Sequence, residues 1–171
     1  MKNLVLWFFL LSVAAYAGAQ STINFADLPD VATATPLPTG YHSLNWSGVS
    51  YVDPLKVIGL GAGFQHGTSI AGTDVAFGPG ICGNSGCYSS ITSPSGDSFQ
   101  LVSANIASGY SSESVTVTAY NNGSYVGSET YSLTTDVQTV TFPSGWGDIT
   151  EAVLQTSTLQ SSFVFYSLTA E

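Results

Sequence analysis

The chain reads as an all-β protein, an antiparallel two-sheet β-sandwich of jelly-roll type preceded by a cleaved signal helix. Three observations carry that reading. Helical periodicity is nearly absent, and short runs rich in Val, Thr, Tyr and Phe recur between clusters of Gly, Ser, Asn and Pro. The one long apolar stretch sits at the extreme N-terminus.

That stretch, Leu4 to Ala15, follows Lys2 and ends at the small residues Ala17-Gly18-Ala19, the order of a signal peptide. It is shorter than the ~20 residues a membrane-spanning helix needs. Residues 1–19 are therefore expected to be removed, leaving residues 20–171 as a single β-sandwich domain that is secreted, extracellular and without a membrane span. Removal of Lys2 leaves Lys56 as the sole cation against eleven carboxylates, a formal net charge of −10 with neutral histidines. Such a field repels phosphate backbones and anionic lipid, which excludes nucleic acid as a partner.

Nine runs carry strand character: Thr22 to Leu28, Ser50 to Val52, Val57 to Leu60, Ser98 to Ala104, Ser114 to Tyr120, Ser124 to Leu133, Gln138 to Phe142, Glu151 to Thr156 and Ser162 to Thr169. The clearest unit is the hairpin about Asn122-Gly123, a dipeptide suited to the positive φ angles of a type I′ turn. A regular hairpin there pairs Asn121 with Ser124, Tyr120 with Tyr125, Ala119 with Val126, Val117 with Ser128 and Thr116 with Glu129. Val115, Val117, Ala119 and Val126 then face the core, and Thr116, Thr118, Tyr120, Tyr125 and Glu129 face outward. From Gly59 to Ser98 the sequence is rich in Gly and Ser and is expected to form loops at one end of the sandwich.

Cys82 and Cys87 lie inside that region, and in an oxidising compartment such a pair reads as a disulfide worth about 2 kcal/mol, pinning a small loop. Two glycosylation acceptors accompany it, Asn45-Trp46-Ser47 and Asn122-Gly123-Ser124, the second at the predicted turn.

Catalytic patterns are thin. Gly96-Asp97-Ser98-Phe99 is similar to the nucleophile segment of a lipase and esterase family. Those enzymes take the serine proton with a downstream histidine, whereas His42 and His66 both lie upstream. A glycosidase needs two carboxylates about 5 to 9 Å apart, and the predicted register turns Glu113 inward and Glu129 outward. No catalytic residue is assigned. Sugar recognition, by contrast, asks for an aromatic face with a few polar groups around it. Tyr120 and Tyr125 with Glu129 beside them fit that description, and Trp146, in the turn Pro143 to Asp148, is a second candidate.

Several blocks in order also resemble a family of secreted fungal β-sandwich proteins. They are Ile23-Asn24-Phe25-Ala26-Asp27-Leu28-Pro29, Pro38-Thr39-Gly40-Tyr41 with Leu44-Asn45-Trp46, Phe99-Gln100-Leu101 with Ser103-Ala104, Val115 to Tyr120, and Phe163 to Leu168. The resemblance implies a jelly-roll, galactose-binding-like module and, by association, carbohydrate binding; small secreted proteins of this kind also act as effectors on host plants. It further implies a structural calcium between Asp27 and an acidic residue of the terminal block, but Tyr166-Ser167 stands where that acid would be. No cofactor is otherwise expected. The expected function is a non-catalytic carbohydrate-binding or cell-wall-associated module. The alternative is an effector or virulence-type protein that contacts a host or cell-surface protein, and a glycan-active enzyme comes third. The expected partner is accordingly an extracellular glycan or such a surface protein.

Overall fold

A computed structural model describes residues 20–66, 74–79, 81–83, 86–158 and 161–171, and the expected signal segment lies outside them. The run Phe163-Val164-Phe165-Tyr166 shows no alternation of polarity because both faces of its strand, β13 (Phe163–Ala170), are covered; all four side chains are fully enclosed. Around it forms a seven-stranded sheet. Its order is β11 (Gln138–Thr141), β8 (Leu101–Ser108), β13, β5 (Val75–Gly78), β4 (Ser50–Val52) and β2 (Thr35–Pro36), and β1 (Ser21–Ile23) also pairs with β13. The second sheet has six strands: β10 (Ser124–Leu133), β9 (Glu113–Asn121), β12 (Glu151–Thr156), β7 (Gly86–Thr92) and β3 (Asn45–Ser47), with β6 (Ile81–Gly83) pairing with β7. Every pairing is antiparallel, giving the two-sheet sandwich that the sequence predicts.

Between the sheets, Ile91, Val115, Val117, Ala119 and Leu154 of the six-stranded sheet meet Ile106, Phe163, Phe165 and Leu168 of the other. Trp46 joins them, buried, with its indole N–H donating to the Tyr41 carbonyl oxygen at 3.1 Å.

The two outer faces differ. On the seven-stranded sheet, Val52, Val75, Ala107, Val164 and Tyr166 form a second apolar layer, sealed by Phe64 of the short helix α1 (Ala62–Gln65) and by Val57 and Leu60. The Tyr166 hydroxyl donates to the Gly63 carbonyl oxygen beneath this cover. Gly63 is needed for the close approach, since a Cβ there would stand 1.7 Å from the Ser108 carbonyl oxygen. The expected strand Val57 to Leu60 is thus a turn whose end residues Val57 and Leu60 serve the cover. Lys56 anchors its start, 2.9 Å from Asp30 and 3.7 Å from the buried Asp53.

The Gly- and Ser-rich region from Gly59 to Ser98 is not mainly loop. It holds β5, β6 and β7, and both β5 and β7 lie in sheet interiors. Composition hid β7 because its inward positions include Ser89, whose hydroxyl donates to the Gly48 carbonyl oxygen at 2.7 Å and so satisfies itself in the core. Cys82 stands directly opposite Cys87 in the β6–β7 register. Among the described residues no helix is long and apolar enough to cross a membrane.

Glu113 begins β9 buried, accepting a hydrogen bond from Ser108 at 3.0 Å. Burial pushes its carboxyl above the ordinary value of 4.5, against the opposing pull of Ser161 and Ser108. The folded state therefore binds this proton more tightly than the unfolded chain, and the associated stability is lost as pH rises through the folded value.

Two outcomes follow for stability. In urea unfolding, Gly63→Ala should lose about 1–3 kcal/mol, while Gly145→Ala, whose added methyl meets nothing within 4 Å, should match the wild type. Glu113→Gln should raise the unfolding midpoint at pH 7, with the advantage vanishing below the ordinary glutamate value of 4.5.

Candidate functional site on the open sheet face

The open face of the six-stranded sheet is organised by the β9–β10 hairpin. Asn122 and Gly123 both take positive φ, 49° and 77°, the backbone a two-residue type I′ turn requires. Ser124 pairs with Asn121 and Tyr125 with Tyr120, as the sequence predicts. Beyond them the register slips. A bulge between Tyr125 and Gly127 sets Gly127 opposite Ala119, Ser128 opposite Thr118, Glu129 opposite Val117 and Thr130 opposite Thr116. The expected pairs Ala119–Val126, Val117–Ser128 and Thr116–Glu129 are each one residue out. What occupies the displaced position is Trp146: a Cβ on Gly127 would lie 2.5 Å from its indole nitrogen.

The bulge corrects two expectations about the site. Glu129 aligns with the inward-facing Val117, so it lies on the opposite side of the hairpin from Tyr120 and Tyr125. There its charge, after burial as the larger cause, helps push the Tyr131 phenol up to about 12. Glu113 and Glu129 thus share one side of β9 and β10 but stand four residue pairs apart, roughly 13 Å along the strand, too far to flank one bond. Trp146, at the end of a single 3-10 turn (Ser144–Trp146), is half-buried against the core with Phe142 at 6.1 Å, and does not join the tyrosines.

The outer face can be read row by row from the pairings. The first row is Tyr125, Tyr120, Glu151, Thr92 and Asn45; the second is Ser128, Thr118, Val153, Ser90 and Ser47; the third is Thr130, Thr116, Gln155 and Tyr88. Hydroxyls pair across the hairpin, Thr118 with Ser128 at 3.2 Å and Thr116 with Thr130 at 2.9 Å. Tyr120 and Tyr125 meet edge to face at 6.3 Å, and Tyr125 is 65% exposed. The carboxylate beside the pair is Glu151, opposite Tyr120, rather than Glu129. Glu151, Val153 and Tyr88 were missed as site residues. The alternation Cys87-Tyr88-Ser89-Ser90-Ile91-Thr92 was the available signal for Tyr88, weakened by the inward Ser89.

Of the two glycosylation acceptors, Asn122 is exposed at the turn tip. Asn45 is half-buried within β3, its side-chain oxygen accepting from the Gly40 N–H at 3.1 Å.

A cleft of about 400 Å³ opens at the same end of the sandwich, beside Thr92 and Asn45. His42, Ser43, Ser98, Asp97 and Glu171 line it over a floor that includes Ile23 and Phe99. His42 and Ser98 share the cleft although His42 precedes Ser98 in sequence. The His42 ring nitrogen Nε2 lies 3.2 Å from Asp27, and the hydroxyl that bonds Asp97 is that of Ser95. Asp27 also accepts from the Tyr41 hydroxyl, which is the main reason its carboxyl is held below the usual aspartate value. A phenol and an imidazole occupy both carboxylate oxygens, and Tyr166 turns away to Gly63, so these residues do not fit a calcium ion. Among the described residues no three His, Cys, Asp or Glu side chains converge as a metal site.

This architecture is similar to that of a DUF4465 family protein from Bacteroides caccae, with a TM-score of 0.56 over 99% of each chain at 13% identity. At that identity the likeness speaks for the β-sandwich fold. No protein-family model and no curated protein matches the chain.

Removing the phenol hydroxyl tests the account of Asp27. In Tyr41→Phe, carboxyl NMR titration should show Asp27 moving up toward the ordinary aspartate value of 3.8; an unmoved titration would assign the lowering to another group.

Proposed function

We propose that this is a secreted carbohydrate-binding module that acts without catalysis, and that it binds through the open face of the six-stranded sheet. One observation carries the reading: a tyrosine pair, Tyr125 exposed and Tyr120 half-buried, stands on a sheet face made mostly of hydroxyl and amide side chains, with Glu151 as its carboxylate and no cation among the rows described. Tyrosine rings stack on the apolar faces of sugar rings, and flanking hydroxyls and amides meet the sugar hydroxyls. The asymmetry of the sandwich supports it, since the other outer face is sealed by Phe64 and its neighbours. An extracellular setting accords with the leader-like N-terminus, the exposed acceptor Asn122 and a Cys82–Cys87 bridge across β6 and β7.

A protein-interaction role is the second reading, favoured by Leu55 and Ile58, 69% and 102% exposed in the loop around Lys56.

On a glycan array, the wild type should retain at least one glycan and Tyr125→Ala should lose it, a drop of tenfold or more in affinity. Trp146→Ala should keep the specificity and lower thermal stability instead. Absence of any retained glycan at millimolar concentration would refute the carbohydrate reading, and binding to a host surface protein abolished by Leu55→Ser with Ile58→Ser would favour the second.

A further inference from the structure

Resting on that reading, we infer that the ligand is a linear, uncharged, β-linked glycan chain lying diagonally across the sheet along Tyr120, Val153 and Tyr88. The registers place these residues on one line. Tyr120 is in the first row on β9, Val153 in the second row on β12, and Tyr88 in the third row on β7. Each step crosses one strand and two residues, about 8 Å, so the line spans roughly 16 Å, the reach of about three to four sugar rings.

Other paths across the face lack this sequence of apolar stations. Along β9 the positions after Tyr120 are Thr118, Thr116 and Ser114, all hydroxyls. Across the first row the tyrosines give way to Glu151, Thr92 and Asn45. The parallel diagonal from Tyr125 meets Thr118 and then Gln155, and the opposite diagonal through Val153 runs from Thr92 to Thr116.

On the chosen line each apolar station has polar neighbours in its own row. Glu151 adjoins Tyr120, Thr118 and Ser90 flank Val153, and Gln155 adjoins Tyr88. Apolar groups below with hydrogen-bonding groups at the sides match a chain whose rings present flat C–H faces and equatorial hydroxyls at their edges, the geometry of β-linked pyranoses. The same row chemistry argues against charged glycans. No cation stands there to hold a uronate or sulfate, and Glu151 repels one. Tyr88, 43% exposed, marks the far end of the line.

The test is calorimetry with neutral β-linked gluco-oligosaccharides of two to six rings on the wild type, Tyr88→Ala and Val153→Glu. Both positions face outward, so wild-type thermal unfolding is expected of each variant and is checked first. Wild-type affinity should rise with length to about four rings and then level off. Each variant should bind the tetrasaccharide at least fivefold more weakly, and Tyr88→Ala should bind the disaccharide nearly as well as the wild type. A measurement that needs no substitution reads the same path: nitration of Tyr88 by tetranitromethane should be slowed by the hexasaccharide and left unchanged by the disaccharide. If both variants bind every length as the wild type does and Tyr88 is not shielded, the diagonal is wrong and binding is confined to the tyrosine pair. If the wild type binds no oligosaccharide of any length, the carbohydrate reading itself fails.

Discussion

Burial of β13 on both faces is the constraint from which the molecule's asymmetry follows. Its inward residues Phe163 and Phe165 fill the space between the sheets, so its outward residues Val164 and Tyr166 need a cover of their own. The chain provides one from the segment carrying Phe64, held down through the contact of Tyr166 with Gly63 and the close approach that glycine allows. That uses up one outer face for stability. Among the described residues the six-stranded sheet carries no comparable layer, and its outward positions have gone mostly to Ser, Thr, Gln, Asn and Tyr instead. A sandwich built with one sealed and one open face leaves only the open one for the ligand proposed above.

The bulge in β10 acts on a smaller scale with a comparable effect. One extra residue exchanges the two sides of the strand beyond it, so Tyr125 remains outside while Glu129 is carried to the inner side. The tyrosine pair is thereby left beside Glu151, and the strand edge gains Trp146 as a plug over Gly127. The end cleft is a separate environment. His42 and Asp27 are tied to each other and to Tyr41 there, and Phe25, His42 and Ser43 hold left-handed backbone that non-glycine residues seldom adopt.

The sheet architecture was legible where alternation was clean and burial two-sided. The runs leading to β9, β10, β12 and β13 were visible in Val115-Thr116-Val117-Thr118, in the Asn122-Gly123 turn and in the apolar block at Phe163. It was not legible where small polar residues point inward. Ser89 satisfies its hydroxyl on the Gly48 carbonyl and so can occupy a core position that composition assigns to a loop. Glu129 was misplaced for a different reason: a bulge leaves no periodic mark, and the cause, an indole packed on Gly127, comes from nineteen positions away in sequence. The site was therefore half visible. Tyr120 and Tyr125 could be paired from the turn alone, but Val153 and Tyr88 become their neighbours through the β12 and β7 registers, which are long-range facts.

The ion pairs at Lys56 bear on how the fold resists proteolysis. Residues 20–171 contain this one lysine and no arginine, so a trypsin-like protease finds a single bond to cut, the one before Val57. Lys56 is held by Asp30 and Asp53, and Val57 packs against the apolar layer behind it. The lone cleavage point is thus fastened to the fold on both sides, and digestion there has to wait for that corner to open.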